Sequence, residues 1–152
     1  MKILIVGGGW SGVAAAISAK KAGAEVHLYE KTDLLLGLGN VGGIMRNNGR
    51  YTAAEELIAL GGGDLIKICD GNSRHKSVEF PGHKHASLYD VNKIEGAVRD
   101  YLVNLGINLH METRICDVEF AKHSVLVACG FQSLQNVGLD GTTLVENRLN
   151  AA

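Results

Sequence analysis

The chain has 152 residues, with 15 basic and 16 acidic side chains and a formal charge of −1 at pH 7. This length suits one compact domain with a substantial hydrophobic core. The balanced charge gives no basis for electrostatic capture of nucleic acid or of an anionic membrane, so we expect neither partner. The 3 cysteines are widely spaced and form no C-x-x-C pair. We therefore expect no disulfide framework, no metal site and a cytoplasmic setting.

The chain opens with a strand, a helix and a second strand. Ile3–Val6 is a short apolar run before a glycine triplet, which predicts a buried strand of a parallel sheet. The alanine-rich stretch Trp10–Ala22 ends in lysines and is followed by Gly23, a pattern typical of a helix and its stop. Glu25–Tyr29 predicts the second strand, and the acidic Glu30 stands directly after it.

The next part of the chain contains many glycines and polar residues. Residues 34–50 predict a long glycine-rich loop, which at that length is usually functional. Thr52 can cap a helix that runs to Leu60, and residues 64–69 can continue helically beyond a second glycine triplet. The polar stretch 70–89 predicts irregular structure.

The C-terminal half contains the clearest amphipathic helix. Asn92 and Glu95 have the spacing of a capping box, and apolar residues recur at helical spacing until Gly106. The alternation of apolar and polar residues over 107–111 predicts a strand. Residues 115–120 and 124–128 predict two more strands. No strong helical or strand periodicity of apolar residues is found after residue 130. We therefore divide the chain into a domain over residues 1–130 and a tail over 131–152.

The motif Gly7-x-Gly9-x-x-Gly12 lies between the first predicted strand and the first predicted helix, as a dinucleotide-binding loop requires. Gly7 permits the tight turn, Gly9 lets the backbone approach a pyrophosphate, and Gly12 lets the helix pack on the strand. The helix N-terminus would then hold the diphosphate. Glu30 follows at the interval expected of an acid that binds ribose hydroxyls. An accidental glycine turn with a solvated Glu30 is the alternative.

Three stretches carry a family resemblance: ILIVGGGWSGVAAAISAKKAGAEVHLYEK, GLGNVGGIMRNNGR and PGHKHASLYDVNKIEGAVRDYL. They resemble FAD-dependent oxidoreductases of the type with two dinucleotide-binding domains, related to the fumarate reductase flavoprotein and the glucose-inhibited division protein. The resemblance covers about residues 1–120. It implies an α/β fold, a Rossmann-like FAD/NAD(P)-binding domain whose parallel sheet is flanked by helices, with FAD as the cofactor.

Carried over by position, the resemblance implies cofactor contacts from the fingerprint, from the second strand end and from the glycine-rich loop. These residues are Gly7, Gly9, Gly12, Glu30, Lys31, Gly39, Gly42 and Gly43. The run VLVACG ending at Gly130 is similar to the strand that closes such domains near the cofactor, with Cys129 in place of a threonine. The catalytic chemistry would belong to the flavin, and no catalytic residue is assigned.

Two departures from the family pattern bear on activity. Only residues 121–123 separate the last two predicted strands, where relatives insert a β-meander, and no substrate domain follows Gly130. We therefore expect a truncated FAD-binding domain or subunit of a flavin-dependent oxidoreductase, active if complete or complemented by a partner chain. The alternatives are an NAD-dependent dehydrogenase domain and a noncatalytic assembly subunit or truncated product that keeps the fold. A partner subunit or a homo-oligomer fits the apolar surface that such losses would expose.

Other polar residues leave further alternatives open. Arg46 and Arg50 stand in the glycine-rich loop, where they can meet a diphosphate, a carboxylate substrate or only solvent. His83 and His85 have the spacing of two metal ligands on an extended segment, but no third ligand accompanies them, so a polar loop is favoured over a metal site. His75, His110 and His123 are expected at the surface.

Overall fold

The computed structural model describes residues 1–40, 46–47, 54–80, 83–116 and 125–128. The strands in these residues are β1 Lys2–Val6, β2 Glu25–Tyr29, β3 Arg46–Asn47, β4 Ser73–Phe80, β5 His83–Tyr89, β6 Asn108–His110 and β7 Val125–Ala128. The helices are α1 Trp10–Lys21, α2 Gly37–Asn40, α3 Ala54–Ala59, α4 Gly63–Gly71 and α5 Ile94–Asn104. None of these helices is long and apolar enough to cross a bilayer.

Four strands form a parallel sheet in the order β6-β2-β1-β7. Every neighbouring pair in it is parallel, and Ile5 of β1 lies opposite Leu28 of β2 and Val127 of β7. Numbered among themselves along the chain, these strands have the order 3-2-1-4, which is that of dinucleotide-binding α/β domains. The predicted α/β fold with a parallel sheet is confirmed.

One face of the parallel sheet packs against the helices. Ile5, Val26 and Leu28 are fully buried and belong to the same core as Ile17 of α1 and Leu102 of α5. The alanine-rich sequence of α1 lets its backbone pack close to the strands, because the small side chains take up little space between the helix and the sheet. The helix and both strands predicted for the first 30 residues are confirmed.

A second, antiparallel sheet in the order β3-β5-β4 corrects the prediction for residues 70–89. That stretch was expected to be irregular, but it forms the hairpin of β4 and β5. Its register shifts between Ser73 and His75 and twice more along the strand, which breaks the two-residue alternation by which strands are recognised. The glycine-rich stretch 34–50 likewise contains α2 and β3.

The start of α5 also differs from the sequence prediction. Lys93 is the N-cap residue and its side chain makes no capping hydrogen bond, so the capping box of Asn92 and Glu95 is wrong. Asp90 orders this turn instead, because its Oδ1 accepts a hydrogen bond from the backbone N–H of Asn92 at 3.0 Å. Glu95 turns away to other partners. The helix ends before Gly106, as predicted.

Asp64 at the start of α4 ties three helices together. Its carboxylate forms an ion pair with Lys21 of α1, a 2.8 Å ion pair with Lys67 and a 2.5 Å hydrogen bond from the Tyr101 hydroxyl of α5. These donors, Lys21 first, hold the pKa of Asp64 well below its usual value. Burial, and then Asp64, raises the pKa of Tyr101 to about 12.

We predict that Asp64→Asn lowers the free energy of unfolding at pH 7 by about 1 to 2 kcal/mol, a modest loss because solvent screens both lysines. A carboxyl whose pKa is lowered by folding stabilises the fold above its unfolded pKa, near 4, and this contribution is lost as pH falls through the folded pKa. The difference in the free energy of unfolding between Asp64→Asn and the wild type, measured with urea, should therefore be constant from pH 7 to about 4 and smaller at pH 2.

The matched control for that experiment is Asp100→Asn, which removes an exposed carboxylate from α5. It should leave stability within about 0.5 kcal/mol of the wild type. An Asp64→Asn loss that stays the same at pH 2 as at pH 7 would show that the carboxylate charge does not carry this stability.

Candidate functional site

The turn between β1 and α1 is built from the predicted glycines. Gly7 has φ +104°, a conformation that side chains disfavour, and its N–H donates to the Tyr29 carbonyl at 2.8 Å. Gly9 is the N-cap of α1 with an ordinary φ of −71°, and a Cβ built on it would meet no atom of the described part of the chain within 4 Å. Gly12 is buried in the first turn of α1. The loop therefore presents bare backbone to open space at Gly9.

The N-terminus of α1 is open to an anion. Among the described residues, no side chain caps this helix, and its first turn contains no acidic residue. The first N–H groups of a helix lack partners within the helix and carry the positive end of its dipole. Trp10–Lys21 is long enough for this dipole to develop, and Lys20 and Lys21 complement its negative end.

Gly8, which sequence reasoning passed over, is closely packed, whereas Gly9 is not. A Cβ at this position would lie 2.7 Å from Leu35 Cδ2 and 3.1 Å from the Cβ of Glu30. Its N–H donates a 2.7 Å hydrogen bond to Glu30 Oε2. Gly8 is thus the residue through which the loop contacts the acid at the end of β2.

Glu30 is the one charged residue in the buried class among the described residues, with 6% of its surface exposed. Its Oε1 accepts hydrogen bonds from the Thr32 backbone N–H at 2.9 Å and from the Thr32 hydroxyl at 3.0 Å. Together with the Gly8 bond, these fix the carboxylate while leaving part of its acceptor capacity unused, because a carboxylate has about four lone-pair sites. Glu30 is therefore held ready to accept a further donor such as a hydroxyl.

The segment after β2 returns to the glycine loop. The N–H of Leu36 donates to the Gly8 carbonyl at 2.8 Å, and a Cβ on Gly37 would lie 3.8 Å from the Gly9 Cα. Gly39 is packed so closely on Trp10 that a Cβ there would lie 2.7 Å from the indole Nε1. Residues 36–39 therefore contact the glycine loop, and the contacts of the glycine-rich segment with the cofactor stay a prediction.

A stacked aromatic cluster flanks Glu30 on the side of β6. The rings of Tyr29 and His110 stack at 4.3 Å, and His110 Nε2 lies 3.0 Å from Nδ1 of His27. Burial, followed by the nearby charges, lowers the pKa of His110. The His110 carbonyl accepts from the Glu30 N–H at 2.9 Å. His110 is thus half-buried in this cluster on the edge strand β6.

The remaining predicted site residues are less informative. Lys31 is exposed beside Glu30. Gly42, Gly43 and Gly130 lie outside the described residues. The side chains of His83 and His85 on β5 also lie outside what the structure describes. Among the described residues, no group of three potential ligands is arranged to hold a metal ion.

A family model matches most of the chain. It describes glucose inhibited division protein A and matches residues 2–136. The chain belongs to this family. The resemblance inferred from the sequence is confirmed, and the match runs through the glycine loop, Glu30 and the whole parallel sheet. A comparison with curated proteins gives no match.

Solved structures of an oxygenase and of a second protein, CtdE, share the fold. Tetrameric 2-methyl-3-hydroxypyridine-5-carboxylic acid oxygenase matches with a TM-score of 0.55 at 16% identity, over 79% of this chain and 33% of that one. CtdE, crystallised with FAD and a substrate, matches with a TM-score of 0.51 at 16% identity, over 77% of this chain and 31% of its own. The chain spans about a third of the length of these structures.

Proposed function

We propose that this chain is the FAD-binding domain or subunit of a flavin-dependent oxidoreductase. The observation that carries the proposal is the buried Glu30 carboxylate, fixed by Gly8 and Thr32 beside the open backbone of Gly9. An acid that accepts ribose hydroxyls and a bare helix N-terminus that accepts a diphosphate are the two requirements of the ADP half of FAD. The family match and the FAD bound to the related CtdE structure support this choice.

The residues present also fit the cofactor beyond its ADP half. Asn40, in the glycine-rich segment that contacts the loop, has a buried Oδ1 that finds no hydrogen-bond partner among the residues that the structure describes. An unpaired buried acceptor is costly unless a ligand or water supplies a donor, and flavin and its ribityl chain offer several. Gly7, Gly9, Gly12 and Glu30 would hold the ADP part, and Asn40 would face the rest.

When bound, FAD supplies hydride or electron transfer at its ring, which protein side chains alone do not provide. This chain's own groups bind and orient it: the α1 N-terminus neutralises phosphate charge, and Glu30 selects a ribose with free hydroxyls. A negative carboxylate at that position disfavours a 2′-phosphate, so NADP is not the expected ligand. We infer that substrate contacts come from a partner subunit or another copy, in a cytoplasmic setting.

The experiment is a calorimetric titration of the purified chain with FAD, and in parallel with NAD⁺, followed by a flavin absorbance spectrum of the washed complex. We expect FAD to bind and to remain with the protein, and NAD⁺ to bind much more weakly. Glu30→Gln should raise the Kd for FAD about tenfold, because hydrogen bonds to an ionised acceptor are stronger by about 1.4 kcal/mol than those to a neutral one.

The matched control is Glu112→Gln, which neutralises an exposed carboxylate near the same strand ends. It should leave the Kd unchanged. A folded wild-type chain that takes up no FAD would overturn the proposal, and preferential binding of NAD⁺ would favour a dehydrogenase domain. Full FAD affinity in Glu30→Gln would remove this carboxylate from the site.

A further inference from the structure

A pair of charged side chains on α5 binds the segment that follows β2. Glu95 and Arg99 lie one helical turn apart, and Arg99 Nε and Nη2 donate to Glu95 Oε1 at 2.9 and 2.5 Å. Arg99 Nη2 also donates to the Asp33 carbonyl at 2.5 Å, while the Leu35 N–H donates to Glu95 Oε1 at 3.2 Å. We call Glu95 and Arg99 the α5 clamp, because they hold the backbone of residues 33 and 35.

The segment held by the α5 clamp contains a strained residue. Leu36 has φ +67°, in the left-handed region, and its side chain is fully buried. For a residue other than glycine this conformation costs about 1 to 2 kcal/mol, and it persists only where surrounding contacts enforce it. Leu36 directly follows the clamped Leu35, so the clamp fixes the backbone at the point where strain is stored.

The strained segment, in turn, supports the glycine loop. Leu36 donates its N–H to the Gly8 carbonyl at 2.8 Å, and the Leu35 side chain fills the space where a Gly8 side chain would stand. Gly8 then donates to Glu30. A continuous series of contacts therefore runs from α5, through residues 33–36, to the loop and to the acid.

We propose that Glu95 and Arg99 are positioning residues for the cofactor site. They hold Leu36 in its left-handed conformation and so keep the glycine loop in the geometry that accepts a dinucleotide. Neither residue is assigned to the cofactor itself. This proposal rests on the proposed FAD site, but its structural half, the docking of residues 33–39 on the loop, can be tested without any cofactor.

The sole tryptophan of the chain reports on that docking. Trp10 begins α1 directly after the loop, packs against Gly39 and lies 5.3 Å from the Tyr89 ring between centroids. If residues 33–39 lift from the loop, the indole loses the cover that Gly39 provides. Acrylamide quenching of Trp10 fluorescence should then increase while far-ultraviolet circular dichroism stays constant.

The test uses Glu95→Ala, Arg99→Ala and the double variant, at a temperature where all three are fully folded. Each single variant should show increased Trp10 quenching and a Kd for FAD raised about three- to tenfold. The double variant should be little worse than either single one, because the two residues act as one unit. Arg99→Lys should restore less than half of the affinity, since a lysine cannot reproduce the guanidinium geometry. Asp100→Asn, on the same helix, is the control and should change neither quantity.

The outcomes separate this proposal from the proposed function. Wild-type quenching and wild-type FAD affinity in both single variants would overturn the positioning role while leaving FAD binding intact. Additive effects in the double variant would also overturn it. If the wild type binds no FAD, the proposed function fails, and the Trp10 measurement still decides whether the α5 clamp holds the segment. A fall in melting temperature with unchanged quenching and Kd would make the pair a stabilising contact only, against the proposal.

Discussion

Gly9→Ala is expected to abolish tight FAD binding while leaving the protein folded. The added methyl group meets no atom of the described residues within 4 Å, and the φ of −71° at this position suits alanine. The fold therefore does not require glycine here, and the space left open is where a diphosphate would approach the helix N-terminus. We expect the Kd for FAD to rise about a hundredfold or more, which corresponds to about 3 kcal/mol of steric cost.

The matched control for Gly9→Ala is Gly96→Ala, since a Cβ on Gly96 also meets no atom within 4 Å. Gly96 lies inside α5, so its replacement should raise stability by about 0.5 to 1 kcal/mol and leave the Kd for FAD unchanged. Calorimetric titration and thermal unfolding of both variants provide the measurement. Undiminished FAD affinity in Gly9→Ala would mean that the diphosphate does not lie at this turn.

The first 30 residues were predictable because their signals are local. A strand covered on both faces is a continuous apolar run, a helix packed closely on it is rich in alanine, and the turn between them needs glycine at Gly7. Each of these requirements applies within a few residues of the chain. The position of Glu30 follows from the same unit, because the acid must stand where the second strand ends.

The middle of the chain was less predictable because distant partners decide its structure. The β4 and β5 hairpin depends on a pairing whose register shifts three times, so no regular alternation marks it in the sequence. Glu95 has the spacing of a capping residue, yet its Oε1 accepts two hydrogen bonds from Arg99 and one from the Leu35 N–H instead. A local pattern cannot indicate which of two such partners lies within reach.

The candidate functional site shows the same difference between local signals, which the sequence reveals, and contacts between distant segments, which it does not. The glycine spacing and Glu30 were read from the sequence, whereas Gly8, Thr32 and Leu36 were missed because their roles arise from contacts between separate segments. Gly8 occupied a variable position of the motif. Its constraint comes from Leu35, 27 residues later in the chain, and only the folded structure brings these two together.

Gly8→Ala should lower the stability of the fold, whereas Gly9→Ala should lower the affinity for FAD, although the two glycines are adjacent. The new Cβ would lie 2.7 Å from the fully buried Leu35 side chain and 3.1 Å from Glu30 Cβ, so neighbours must shift. Overpacking of a core costs about 1 to 3 kcal/mol, which corresponds to a fall in melting temperature of about 2 to 12 °C. Thermal and urea unfolding of the purified variant measure this loss.

A second substitution tests whether the clash with Leu35 is the cause. Leu35→Val shortens the side chain that blocks the Gly8 Cβ, and alone it should cost about 1 kcal/mol through lost burial. Combined with Gly8→Ala, it should give a protein more stable than the sum of the two losses predicts, by about 1 kcal/mol or more, because one change makes room for the other. Strict additivity would place the conflict at Glu30 instead. The glycine at position 8 would then be required by Glu30, the acid that the cofactor site uses.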